Sequence, residues 1–240
     1  MLTPRQRALL QGRRLYAPLG ISGRVRRATK AQRLAIPDSV VHQWPMDEGS
    51  GSTVADNIGD ADLTISQAEW GTDTDYVGEH YLDFDQGDSE QIDSNQTNVG
   101  DTGCVVATVW LDNIVSGENR MFTHNDTNGD NRIYLMVEEE EWAWGLAASI
   151  DQKTGVSPST NTNYRFGLNW DEGSYQVFVD GSVIDSGSYS GTLSDTTSGE
   201  WVFGEEFGQP LDGRLDNVIF SEEPFSSDEI TSDYDSQPWS

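Results

Sequence analysis

"NYRFGLNWDEGSYQVFVDGSVIDSG", residues 163–187, decides how the rest of this 240-residue chain is read. Tyr164, Phe166, Leu168 and Trp170 occupy alternate positions, the period of a strand with one apolar face. Two β-rich runs then flank Asp180-Gly181, a pair that tolerates positive φ and signals a hairpin. The same period recurs upstream in "WAWGLAA", which puts Trp142, Trp144, Leu146 and Ala148 on one face. "CVVATVWL" (104–111) is apolar at every position but one, as a central strand covered on both faces would be. Glycine and Asx clusters punctuate the chain at "DEGSGS", "DQGDSE", "NDTNGDN", "DEGS" and "SGSYSGT". One internal helix is predicted, at "SSDEITSDY" (226–234), where Ser226 or Ser227 caps and Asp228 and Glu229 suit the first turn. Many short strands with tight turns predict an all-β fold, a two-sheet antiparallel β-sandwich of jelly-roll type.

Charge divides the chain into two parts. Residues 1–37 hold Arg5, Arg7, Arg13, Arg14, Arg24, Arg26, Arg27, Lys30 and Arg33 and no acid, a sum of +9. The remaining five basic residues and all 41 acidic ones make the rest −36. The predicted organisation is a basic N-terminal anchoring arm, 1–39, extended or partly helical, and a sandwich domain, 40–240. In the arm, Thr3, Pro4 and Gln6 make the start of a short helix that Gly12 can end. Net charge this far from zero destabilises a compact chain in dilute salt, but the Debye length shrinks to roughly 3 Å at 1 M. The composition therefore points to a halophilic source, against the alternative of an ordinary acidic secreted domain or a cation-binding protein. Cys104 is the one cysteine, so no disulfide framework is expected, and no apolar stretch is long enough for a membrane span. The N-terminus lacks the apolar core of a signal peptide.

The order of segments resembles the laminin G-like, concanavalin A-like jelly roll. "HQWPMDEGSGSTVADNIGDADLTI" (42–65) is similar to that family's opening strand and acidic turn, and "YLDFDQGDSEQID" (81–93) to its second element. "CVVATVWL" is similar to its central strand, and residues 163–187 to its most typical strand and hairpin. "LDGRLDNVIFSEEPFSSDEI" (211–230) is similar to its last long strand and closing helix. The resemblance spans about residues 40–235 and implies the fold. It implies no single function, because the family includes lectins, adhesion modules, enzyme appendages and viral structural domains.

Several residues are candidates for chemistry. Asp126, Asn128 and Asp130 have the spacing of the first three ligands of a calcium loop, although Asn131 replaces the turning glycine and Val137 stands where a closing Glu belongs. Ca²⁺ is thus the one cofactor expected, against the alternative of a polar hairpin tip; the resemblance, which implies a rim calcium, adds Asp56 and Asp216 as a second candidate pair. The acidic run 138–141 puts Glu138 and Glu140 on one strand face, yet an unbroken acidic run is usually a solvated face. The glucanase spacing Glu-x-Asp-x-x-Glu does not occur, and no catalytic residue is assigned. Trp70, Tyr76 and Tyr81 near loops or strand ends, and Tyr189 in a Ser/Gly-rich loop, are candidates for stacking on a sugar; Trp70 and Tyr189 are the leading two. Trp44, Trp110, Trp142, Trp144, Trp170 and Trp201 are read as core.

The arm suits a partner. Lys/Arg-rich arms bind phosphates, but counterion release makes such binding weak in molar salt. Desolvated Arg–carboxylate forks suffer less from screening, and eight Arg to one Lys suits them. The resulting expectation is a non-enzymatic virion structural protein of a halophilic archaeal virus, held to other capsid or tail proteins by its arm. The sandwich is then a decoration, turret or fibre head facing a host-surface glycan or S-layer protein, and a homo-oligomer is expected. The alternatives are an exported, extracellular carbohydrate-binding protein and, more weakly, a nucleic-acid-associated protein.

Overall fold

The computed structural model describes residues 36–74, 76–85, 91–94, 99–114, 117–125, 132–193, 199–204 and 211–240. The nine basic residues of the arm, and Asp126, Asn128 and Asp130, lie outside the described residues. In chain order the strands are Val40–Trp44 (β1), Thr53–Val54 (β2), Leu63–Ser66 (β3), Glu69–Thr72 (β4), His80–Phe84 (β5) and Gln91–Ser94 (β6). Then come Thr102–Leu111 (β7), Glu118–Asn125 (β8), Ile133–Glu138 (β9), Glu141–Leu146 (β10) and Ser149–Lys153 (β11). Asn163–Asp171 (β12), Ser174–Val179 (β13), Ser182–Ser188 (β14), Glu200–Phe203 (β15), Gly213–Ser221 (β16) and the helix Ser227–Asp235 (α1) complete the order.

Among the described residues the strands form two eight-stranded sheets. Sheet A runs β14-β13-β12-β7-β16-β5-β4, with β1 also paired to β16; sheet B runs β11-β10-β9-β8-β15-β6-β3-β2. The strand pairings among the described residues are antiparallel, as expected for a sandwich. Their inner faces interdigitate. Trp44, Trp142, Trp144, Trp170 and Trp201 are at most 2% exposed. Each such ring takes roughly 200 Å² out of water, about 5 kcal/mol by area. Trp142, Trp144 and Leu146 face inward as the period requires, but the strand ends before Ala148, which is exposed after a residue at φ 49°.

β7 is buried on both sides. Val105, Ala107, Val109 and Leu111 join the main core, while Cys104 and Val106 join a second cluster with Phe178, Ile219, Phe225 and Ile230. Ile230 belongs to α1, which lies on the outer face of sheet A. Ser226, one of the two cap candidates, caps α1, accepting from the Glu229 N–H while the Glu229 carboxylate accepts from Ser226, a reciprocal capping box. Nine residues make a helix too short to be stable alone in water. Arg165 on β12, 1% exposed, anchors it: Nε and Nη2 donate to the two Asp233 carboxylate oxygens at 2.6 and 2.9 Å. Its Nη1 donates to the Asn217 carbonyl at 2.6 Å. Asn217 is at φ 45° where the β7–β16 register shifts, so the bulge turns a backbone acceptor toward the guanidinium.

Asp233→Ala leaves a buried guanidinium short of its carboxylate and is expected to cost about 3 kcal/mol in urea unfolding at constant salt. Adding Arg165→Met is expected to recover part of that loss; a double variant that is the sum of two independent losses would contradict the pairing.

Candidate functional site

The two leading aromatic candidates do not form one platform. Trp70 is on β4 and Tyr189 follows β14, and these strands are the opposite edges of sheet A. Tyr189 is 8% exposed and belongs to the core, so its ring offers no face to a sugar. Trp70 packs against the core as well, its Nε1–H donating to the Gly51 carbonyl at 2.9 Å.

The acidic run also differs from expectation. Glu138 ends β9, Glu141 begins β10, and Glu139 and Glu140 form the turn between them with φ 47° and 70°. The chain reverses between Glu138 and Glu140, so they share no strand face. Glu138 pairs across the sheet with both Glu141 and Glu118, and Lys153 sits 2.5 Å from Glu139 and 4.0 Å from Glu138. Burial, then the repulsion of Asp151 and Glu118, pushes the Glu138 carboxyl up against the pull of Lys153. Nearby, Arg120 is forked onto Glu118 and lies over the Tyr134 ring, whose hydroxyl donates to Asp151 at 2.7 Å.

Asp56 is a structural acceptor. Its carboxylate receives N–H groups from Gln43, Ile58, Gly59 and Ala61 at 3.0–3.2 Å, and the His42 ring lies 2.5 Å away. A cation needs acceptors around it, and this carboxylate is surrounded by donors. Burial pushes its pKa up, but the Gly59 N–H, His42 and the other donors outweigh that and hold it below the usual carboxylate range. Gly59 is required by proximity, since a Cβ there would come 2.5 Å from His42 and 2.6 Å from Asp56. Among the described residues no group of three or more His, Cys, Asp or Glu is placed to hold a metal.

A different cluster emerges on the outer face of sheet A, beyond the end of α1. Strand register aligns one lateral row across five strands: Asn163 opposite Trp110, Trp110 opposite Arg214, Arg214 opposite Asp83, and Asp83 opposite Glu69. Trp110, expected in the core, is instead on the outer face and half-buried, because β7 alternates and odd positions face inward. Its Nε1–H donates to Asp112 at 2.9 Å. The Arg214 guanidinium lies 5.0 Å from the Trp110 ring and 4.7 Å from the Tyr81 ring. Tyr81 leans over Gly71, where a Cβ would meet its ring at 2.1 Å, and packs 4.7 Å from Tyr76. The chain beyond α1 extends over this face: Gln237 accepts from Thr108 at 3.4 Å and Trp239 reaches 6.5 Å from Tyr76.

The polar atoms of the row are incompletely used. Among the described residues, Asn163 Oδ1 and Arg214 Nε, and Trp239 Nε1 nearby, are buried without a hydrogen-bond partner. Arg214 approaches Asp112 at 3.8 Å and Asp83 and Asp73 at 4.0 Å, beyond direct hydrogen bonds. Burial pushes the Asp83 carboxyl up, Arg214 opposes this, and Asp112 and Asp85 add repulsion. Unused donors and acceptors beside half-exposed indoles are what a hydroxylated ligand or ordered water satisfies. The sequence reading picked Tyr76 and Tyr81 as sugar candidates but missed Trp110 and Arg214. At the opposite end of the same face, a groove of about 540 Å³ passes Asn169, Gln176 and Phe225. Asn169 is already spent there, donating to Gln176 and the Phe225 carbonyl and accepting from the Phe225 N–H.

The family model of the concanavalin A-like lectin/glucanases superfamily matches residues 84–231, and the chain belongs to that superfamily. A search of curated proteins finds no match. Among solved structures, Trypanosoma rangeli sialidase in complex with sialic acid is similar at 18% identity and TM-score 0.64, over 82% of this chain and 32% of that one. Domain 4 of AbnA, a GH43 extracellular arabinanase from Geobacillus stearothermophilus in complex with arabinotriose, is 14% identical with TM-score 0.64, over 81% and 97% of the two chains. The binding domain of botulinum neurotoxin serotype D is 15% identical with TM-score 0.63, over 83% and 52%. The chain spans about a third of the sialidase it matches. These likenesses establish the sandwich.

Asp56→Asn turns an amide donor toward backbone donors and is expected to cost about 3 kcal/mol near neutral pH. The native carboxylate is held low, so its contribution is present above the ordinary pKa of 3.8 and lost only as pH falls below it. Stability of the variant is therefore expected to change less with pH on the acid side, and removing metal with a chelator is expected to leave the variant's loss unchanged.

Proposed function

We propose that the sandwich is a non-catalytic glycan-binding module whose ligand lies along Asn163, Trp110, Arg214 and Asp83. The observation that carries this is the set of unused polar atoms, Asn163 Oδ1, Arg214 Nε and Trp239 Nε1, beside the half-buried rings of Trp110 and Trp239. An indole face stacks on a pyranose or furanose ring while flanking polar groups fix its hydroxyls. The fold shared with an arabinanase domain in complex with arabinotriose supports the reading. So does the use of the 138–141 acids as a turn, which leaves Glu138 and Glu140 no common strand face to work from.

The charge division favours a setting for this module. A charge of +9 over residues 1–37 against −36 over 38–240 suits display from a larger anionic assembly, and eight Arg suit forked contacts that persist in high salt. A salt-adapted archaeal virion, with the arm in capsid or tail and the sandwich outward, accommodates both parts. Arabinotriose and immobilised cell-surface glycans are the probes. Trp110→Ala is expected to weaken binding at least roughly tenfold while the unfolding midpoint moves little, and no probe is expected to be cleaved. Cleavage abolished by Glu138→Gln would overturn the non-catalytic reading, and absence of the chain from purified virus particles would remove the virion setting.

A further inference from the structure

We propose that the Trp110–Arg214 row selects uncharged, hydroxyl-rich saccharides over acidic ones. This rests on the glycan-binding reading and names the class of ligand. The key feature is the gap between Arg214 and its carboxylates. Asp112 stands 3.8 Å from Nε, Asp83 stands 4.0 Å from Nε, and Asp73 stands 4.0 Å from Nη1. A direct hydrogen bond needs about 2.7–3.2 Å, so these are attractions without bonds.

A sugar hydroxyl fits between such a pair. Its hydrogen is donated to the carboxylate and its oxygen accepts from the guanidinium N–H, both at ordinary lengths. One hydroxyl thereby satisfies both sides, and vicinal hydroxyls can serve two acids at once. Asn163 Oδ1, at a residue 9% exposed, is an acceptor without a donor and asks for the same kind of group. Trp110 contributes its ring rather than its N–H, which Asp112 already holds.

A sialic acid or uronate carboxylate fits poorly. It can accept from Arg214, but it donates nothing to Asn163 or the aspartates. It would also stand beside Asp73, Asp83 and Asp112, each repelling it by about 1 kcal/mol at 4 Å even at the dielectric of water. Molar salt, with a Debye length of roughly 3 Å, screens much of this repulsion, so there the preference rests on the hydrogen-bond donors that a carboxylate lacks. The single guanidinium faces three acids and the Tyr76 hydroxyl, so the row is anionic overall.

The test is a binding comparison on matched pairs, lactose with sialyllactose and galactan with polygalacturonate, using the full chain in buffered 2–3 M salt. Neutral members are expected to bind roughly tenfold tighter or more than their acidic partners. In the variant Asp83→Asn/Asp112→Asn the ratio is expected to move toward the acidic partners, with the near-ultraviolet dichroism of the tryptophans unchanged. Equal or tighter binding of acidic members by the unmodified chain would overturn the selectivity and leave glycan binding standing. Binding to neither member of any pair, nor to arabinotriose, would overturn both.

Discussion

The structure depends on one strand that is apolar on both faces. β7 occupies the middle of sheet A, and one layer of tryptophans cannot satisfy it. Its inner residues are covered by sheet B; Cys104 and Val106 need a second cover, and α1 supplies it. That helix is too short to hold itself, so the buried Arg165–Asp233 fork and the backbone carbonyl offered by the Asn217 bulge fix it in place. The polar network specifies position, while the apolar cluster beneath supplies most of the energy.

Partial covering gives the outer face its second property. Helix and tail shield β7 as far as Thr108, which Gln237 meets. One step along the strand, Trp110 is only half-buried. Antiparallel register then places Arg214 and Asn163 beside it from neighbouring strands, and Asp83 beyond Arg214. The row is therefore a consequence of where the cover stops, and Asn163 Oδ1 and Arg214 Nε are left without a hydrogen-bond partner among the described residues.

Much of the fold was legible because its signals are local. Alternation in β12, the Asp180-Gly181 turn with φ 50° and 76°, and the Ser226–Glu229 box all depend on residues within a few positions of each other. The row was not legible. Asn163, Trp110, Arg214 and Asp83 are dispersed along the chain and meet only through register. Trp110 continues an apolar run, so sequence assigned it to the core; only the end of α1 decides otherwise. Glu138 and Glu140 were misjudged for a related reason. A run of four acids gives no sign that its middle pair adopts positive φ, which the fold imposes by pairing Glu138 with Glu141. Tyr189 looked exposed among Ser and Gly, yet its ring completes the core.

The eight tryptophans provide a direct test, since each indole N–H gives its own nuclear magnetic resonance signal. Titration with the tightest-binding neutral oligosaccharide is expected to shift the signals of Trp110 and Trp239 and to leave those of Trp142, Trp144, Trp170 and Trp201 in place. Shifts confined to Trp70, or a saturated complex in which Trp110 does not move, would contradict the placement of the ligand on the outer face of sheet A.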